Sequence, residues 1–324
     1  MERPFRRHCG MDSSTKVSGP ILDAPILVGI DGSANAEAAM WWAVDLAVAL
    51  HRPLRLLTCY SLPTVVSLGS AAGFASPLLT SDEVHEIDVR NRTAIEDLRT
   101  RILLGHPDLE IETYLDQGSP AAALLKSSDD VSMIVLGTRG AGGASALLMG
   151  SVSYSVAHRA NCPVMLVPET ALRVNGGRVV VGIDGSAPAI AAAKWAVTLA
   201  DELHRSVELV SAWHYPYAAM APEGGMLLGP DIEELRLAML RDARSLVQRV
   251  RKELDHVSHH HVTIESEIVE GSAVDALVEA ARPQDILVVG ARSQCSRFGD
   301  ARKRGHRSCS SQPQPGHRRP LKCP

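Results

Sequence analysis

Gly137, Gly140, Gly150 and Ser151 stand in the stretch GTRGAGGASALLMGSVS, residues 137–153, with the spacing G-x2-G-x9-G-S. Glycines at such points let backbone N–H groups approach an anion closely and permit positive φ. Gly150 and Ser151 fall where a helical pattern begins, so unpaired N–H groups and the positive end of a helix would face a phosphate there. Ser151 and Ser153 would add hydroxyl donors. The carboxylate that could join them is Asp31, in VGIDGS, 106 residues earlier. Taken by itself the glycine-rich segment reads equally well as a spacer between domains, and Arg139 within it reads more readily as a solvated surface arginine. The chain has no G-x4-G-K-[ST], and no G-x-G-x-x-G follows its first apolar run, which excludes a Walker loop and disfavours a dinucleotide site of the usual kind.

Which reading holds depends on the elements around the segment, and an internal repeat defines them. ILVGIDGSANAEAAMWWAVDLAVAL at 26–50 recurs as VVVGIDGSAPAIAAAKWAVTLADEL at 179–203, with 16 of 25 positions identical. The same offset of 153 residues relates Gly118 to Gly271 and Gly137 to Gly290. The chain therefore divides into a first domain over 21–168, a linker over 169–177 and a second domain over 178–293. Residues 1–20 are expected to be a disordered extension and 294–324 a disordered basic tail.

Within a copy, β-rich apolar runs alternate with helical spacing. PILVGI, RLLTCY, EIETYLD, SMIVLG and PVMLVP read as strands; 36–50, 84–102, 120–127 and 151–159 read as helices, the first capped by Ser33 or Asn35. Strands separated by helices predict an α/β class with a doubly wound parallel sheet, in strand order 3-2-1-4-5. Ligands of such sheets sit beyond the carboxyl ends of the strands, at the reversal of winding. That order would make the strands ending at Asp31 and Gly137 neighbours. The glycine-rich segment also lies inside a repeat unit, with a helix and strand still to follow, and this favours a loop over a spacer.

The second copy is incomplete. After Arg292 the similarity ends, and the tail lacks the apolar periodicity for a last helix and strand, as a truncated or frame-shifted copy would. The formal charge of −4 divides into +7 over residues 294–324 and −11 over the rest. That tail has almost no aromatic residues and no reading motif, so a nucleic-acid role is disfavoured. Six cysteines without C-x-x-C spacing suggest neither a zinc site nor a disulfide framework. His259, His260 and His261 are consecutive and cannot all reach one ion, so a solvated loop is expected there. Trp42 and Trp195 occupy matching helix positions and are expected to pack on the sheets. With no signal segment and no long apolar stretch, a cytoplasmic protein without membrane contact is expected.

VGIDGS together with Gly137-x2-Gly140-x9-Gly150-Ser151 resembles the universal stress protein family, over about residues 24–293. The glycine spacing is similar to that of the ATP-binding members. The resemblance implies that Asp31 contacts the nucleoside, that main chain near Cys59 reads adenine and that Gly137 lies against the ribose. Gly140, Gly150, Ser151 and Val152 would hold the phosphates. In the second copy Asp184, Ala212 and Gly290 match Asp31, Cys59 and Gly137, but Ser293, Lys303 and Arg304 stand where Gly140, Gly150 and Ser151 would. Related tandem proteins use their last strands to pair the domains, a pairing the second copy would lose.

The resulting expectation is a regulatory stress-response protein holding one ATP, with or without magnesium, in its first domain, its nucleotide state modulating protein partners or assembly. A homodimer is an option within that reading. No general base or metal cage accompanies the phosphate residues, so no catalytic residue is assigned beyond slow hydrolysis. The alternatives are an ATP-using transferase or pyrophosphatase of related fold, and a scaffold without nucleotide.

Overall fold

The computed structural model describes residues 24–62, 64–66, 75–77, 80–140, 149–171, 176–214, 230–257 and 261–291. The extension over 1–20, the tail over 294–324, the loop interior 141–148, linker residues 172–175, and His259 and His260 lie outside the described residues.

The first copy runs β1 (Ile26–Ile30), α1 (Ala34–Ala49), β2 (Leu54–Tyr60), β3 (Thr64–Val66), β4 (Ala75–Pro77), α2 (Ser81–Gly105), β5 (Ile111–Gln117), α3 (Pro120–Ser127), β6 (Met133–Gly137), α4 (Ser151–Arg159) and β7 (Val164–Val167). Five strands form one parallel sheet in the order β5-β2-β1-β6-β7, which is 3-2-1-4-5 in the expected numbering. β1 pairs with β2 through Ile26 and Leu54 and with β6 through Ile26 and Met133. β3 and β4, an antiparallel pair, were not foreseen in the sequence.

The core explains why these runs are strands. Ile26, Leu27 and Val28 are all fully buried, as a central parallel strand covered on both faces must be. Successive side chains alternate faces. Ile26 and Val28 enter a core with Met40, Trp42 and Leu46 of α1 and Ile95 and Ile102 of α2. Leu27 enters another with Leu57, Leu124, Ile134, Leu136 and Val156, beneath α3 and α4. Helix starts follow from capping. Ser33 caps α1 by accepting from the Ala36 N–H, deciding between the two candidates; Ser119 caps α3, with Pro120 next to it; and Thr80 and Glu83 form a reciprocal capping box at α2.

The second copy runs β8 (Val179–Gly182), α5 (Ala187–Glu202), β9 (Val207–Trp213), α6 (Pro230–Leu254), β10 (Ile264–Glu270), α7 (Ala273–Ala280) and β11 (Ile286–Val288). Its four strands form a parallel sheet in the order β10-β9-β8-β11. Among the described residues it has no counterpart of α4 or β7, and β11 is an edge strand. The consequence shows in the packing. Val180 reaches a cluster of three buried residues, with Val210 and Ala276, where the first copy's corresponding cluster has eight. Arg52, itself buried, makes an ion pair with Glu202 between the copies. No described helix is long and apolar enough to cross a membrane.

Candidate functional site

The carboxyl ends of β1, β2 and β6 open into a cleft of about 410 Å³ at the reversal of winding. Asp31, Cys59, Gly137, Gly140, Gly150, Ser151 and Val152 all line it, although they come from four separate stretches of chain. β1 delivers Asp31 and β2 delivers Cys59; β6 ends at Gly137 and leads to Gly140; Gly150 caps α4, whose first two residues are Ser151 and Val152. Apolar walls come from Ile30, Leu57, Leu124 and Leu136.

Asp31 is fixed by the turn that starts α1. Its Oδ1 accepts from the Ser33 N–H at 3.0 Å and from the Ser33 hydroxyl at 2.6 Å, while the same Ser33 oxygen accepts from the Ala36 N–H at 3.1 Å. Gly32 between them has φ +79°, a left-handed conformation that suits glycine. One short polar sequence therefore both orients the carboxylate and caps the helix behind it.

The three glycines have different physical reasons. A Cβ on Gly137 would lie 2.8 Å from the Asn35 backbone, so this glycine lets β6 pass against α1. Gly290 has the same relation to Pro188, at 2.6 Å, in the copy that lacks the rest of the spacing. Close helix–strand packing is thus sufficient to require a glycine there. A Cβ on Gly140 would instead stand 2.5 Å from Asp31 Oδ2, which makes Gly140 part of the cleft itself. Gly150 donates its N–H to the Thr138 carbonyl at 2.8 Å, closing the two ends of the glycine-rich loop on each other.

Gly150 caps α4 with no side-chain hydrogen bond. The N–H groups of the first turn have no partner within the helix, and they stand at its positive end. Ser151 is exposed there, whereas Ser153 is buried and donates to the Gly137 carbonyl at 2.7 Å. Ser153 therefore braces β6 against α4, which corrects the expectation that its hydroxyl adds to the phosphate donors. Arg139 is exposed, as the solvated-surface reading has it, and its exposed position lies at the lining of the cleft. Burial, then the Asp116 carboxylate, pushes the Cys59 thiol up to about 11, so it stands in the cleft as a neutral thiol.

Asn35 is a residue the sequence reading used only as a candidate cap. Its amide oxygen accepts from the Thr138 hydroxyl at 3.1 Å and its nitrogen donates to Glu169 at 3.2 Å, so it ties the entry of the glycine loop to the chain leaving β7. The repeat contains a signal for it, because the matching position in the second copy is Pro188. Among the described residues no group of three or more His, Cys, Asp or Glu side chains could hold a metal ion.

In the second copy Asp184 keeps the arrangement of Asp31, accepting from the Ser186 N–H at 2.9 Å. Ser293, Lys303 and Arg304 lie outside the described residues.

Comparison with known proteins accords with the repeat. The universal stress protein family model matches residues 24–168 and again 177–301, the second match running beyond the point where the internal similarity ends. A universal stress protein of Mycolicibacterium smegmatis is 33% identical over 191 residues, which span 57% of this chain and 62% of that protein. One from Mycobacterium tuberculosis (strain ATCC 25618 / H37Rv) is 27% identical over 297 residues, spanning 82% of this chain and 97% of its own length. Among solved structures, a universal stress protein from Archaeoglobus fulgidus DSM 4304 covers 84% of this chain and 99% of its own, at 18% identity and a TM-score of 0.49. The family model matches twice, in succession, over most of the chain, and each match coincides with one parallel sheet and its helices: the chain belongs to the universal stress protein family, as a tandem of two such domains.

Proposed function

We propose that the first domain binds one ATP in the cleft at the ends of β1, β2 and β6, and that the protein acts in the cytoplasm as a nucleotide-dependent regulator rather than as an enzyme. The observation that carries this reading is the convergence of Asp31 with Gly140, Gly150 and Ser151 on one concave surface. The chemistry suits each part of the ligand. Asp31 accepts from ribose hydroxyls; main chain near Cys59 faces adenine; and the apolar walls Leu57 and Leu124 take the base. Gly137 lies against the ribose, and Gly140, Gly150, Ser151 and Val152 close on the phosphates. Magnesium, where it accompanies the nucleotide, would supply charge neutralisation at the phosphates. The start of α4 supplies unpaired N–H groups for those oxygens, and backbone donors fit them at no cost in side-chain entropy. Arg139 at the rim adds positive charge.

Among the described residues Asp31 and Arg139 are the charged side chains lining the cleft, and Asp31 is already oriented by Ser33. That leaves the site able to hold a triphosphate without an evident base to activate water. The nucleotide would act on the glycine-rich loop through its described ends, which Gly150 and Thr138 hold together. Asn35 links that loop to Glu169, at the start of the inter-domain segment, and gives occupancy a route toward partners or assembly.

Denaturing the purified full chain and identifying the released nucleotide tests the reading. Release of ATP, up to one per chain, supports it. Absence of nucleotide, together with no ATP binding to the emptied protein, contradicts it. Steady turnover with an added acceptor would instead favour a transferase.

A further inference from the structure

The turns that end α1 and α5 are copies of one another, and both line a cavity of about 620 Å³ between the domains. Leu50, His51 and Arg52 recur at the 153-residue offset as Leu203, His204 and Arg205. The Arg52 N–H donates to the Ala47 carbonyl at 2.9 Å, and the Arg205 N–H to the Ala200 carbonyl at 2.8 Å. His51 and His204 sit at φ +51° and +52°, a left-handed conformation that residues other than glycine seldom adopt. The side chains around these matched turns are not equivalent. Arg52, 8% exposed, is paired with Glu202 of the other copy. The reverse contact would pair Arg205 with the counterpart of Glu202, and that counterpart is Ala49. Ala49 and Arg205 do both line the cavity. Arg205 is left with a buried Nη1 that has no hydrogen-bond partner among the described residues. Asp285 acts on it through charge, but the Asp285 oxygens accept from the Arg178 N–H and guanidinium and from the Arg282 N–H. Burial lowers the pKa of Arg205, with Asp285 opposing. A buried donor left unmet is costly, and native proteins nearly always supply it with a partner.

We propose that this cavity binds a small oxyanion, a carboxylate or phosphate group, which gives Arg205 the partner that Glu202 gives Arg52. The planar fork of a guanidinium matches either group. The short Ala49 side chain leaves the carboxylate's place unfilled, and a turn of the terminal bonds of Arg205 presents Nη1 to a ligand there. The exposed His51 and His204 rings bring further nitrogen donors, one from each domain. Glu202 does not oppose the anion with an unmatched charge, because Arg52 balances it. The cavity shares no lining residue with the nucleotide cleft: α1 starts beside that cleft, where Ala36 lines it, and ends at this cavity with Ala49.

Titration calorimetry of the full chain with inorganic phosphate and, separately, with succinate tests the proposal, and the tighter of the two identifies the class of anion. Saturable binding of at least one is expected, with the dissociation constant raised roughly tenfold or more in Arg205→Gln. Ala49→Glu builds the missing carboxylate into the chain at an exposed position. It should lose the anion to a similar degree while melting no lower than the wild type. Arg101→Gln, which removes an exposed arginine paired with Glu37, should bind as the wild type does. Failure of both anions to bind, or binding indifferent to either cavity variant, would overturn the proposal. Phosphate held by the glycine-rich loop instead would be lost in Gly140→Glu and kept in Arg205→Gln, and that result would overturn it as well. Neither outcome depends on whether the first domain binds ATP.

Discussion

A Cβ on Gly140 would stand 2.5 Å from Asp31 Oδ2, across the mouth of the first domain's cleft. Two residues 109 positions apart therefore compete for one small volume, and a side chain at 140 displaces either the carboxylate or the loop. Gly140→Ala should lower ATP affinity by roughly tenfold, about 1.4 kcal/mol. Gly140→Glu, adding bulk and negative charge beside Asp31, should abolish binding. Titration calorimetry checks both; wild-type affinity in the glutamate variant would remove Gly140 from the site.

Gly137 should behave differently, because its neighbour is the Asn35 backbone at 2.8 Å rather than the open cleft. Gly137→Ala must push β6 from α1 and should cost about 1–3 kcal/mol of stability. Gly290→Ala, facing Pro188 at 2.6 Å, should cost a similar amount without touching nucleotide affinity. Urea midpoints measure these losses, and unchanged midpoints would show that the backbone yields freely.

Much of this is legible in the sequence, for identifiable reasons. The consecutive apolar residues Ile26, Leu27 and Val28 declare a strand covered on both faces, which their burial bears out, and the 153-residue repeat supplies a second reading of each element. Sequence order alone could not show that Ser153 turns inward to the Gly137 carbonyl, because a serine in the first turn of a helix faces solvent or core according to where the strand beneath it ends. The repeat marks Asn35 as differing from Pro188, but not its role: its partners, Thr138 and Glu169, lie more than a hundred residues away. The capping box Thr80–Glu83 was present in the sequence as T-x-x-E and would have set the start of α2. No comparable signal marks β3 and β4, which are three residues each.

Asp285, 1% exposed, joins the start of β11 to the start of β8: it accepts from the Arg178 N–H at 2.7 Å and from the Arg178 guanidinium at 3.2 Å. Burial alone would raise its pKa, but hydrogen bonds from the Arg178 and Arg282 backbone and from the Arg178 side chain outweigh it and hold the carboxyl below its ordinary value. A depressed folded-state value gives stability that is complete above the ordinary aspartate range, about 3.9, and fades as pH falls through the lower folded value. Asp285→Ala should cost about 1–3 kcal/mol near neutral pH by removing one of the two carboxylates that pair with the partly buried Arg178, Glu208 being the other. Asp285→Asn should lose less and should lack that carboxylate's share of acid-dependent unfolding. Denaturant titrations at neutral and acid pH compare them.

Burial pushes the Cys59 and Cys162 thiols up to about 11 and about 12. Both should be alkylated by iodoacetamide at mildly alkaline pH roughly a hundredfold more slowly than an ordinary thiol of pKa about 8.5. Because Cys59 lines the cleft and Cys162 does not, ATP should slow modification of Cys59 alone. Peptide mapping by mass spectrometry reads both sites, and equal protection of the two would place the nucleotide elsewhere.

Calorimetric titration of ATP into the nucleotide-free full chain bears most directly on the assignment of a single working site. One ATP per chain is expected, retained in Asp184→Ala and lost in Asp31→Ala. Two equivalents, or one that survives Asp31→Ala and disappears with Asp184→Ala, would contradict it.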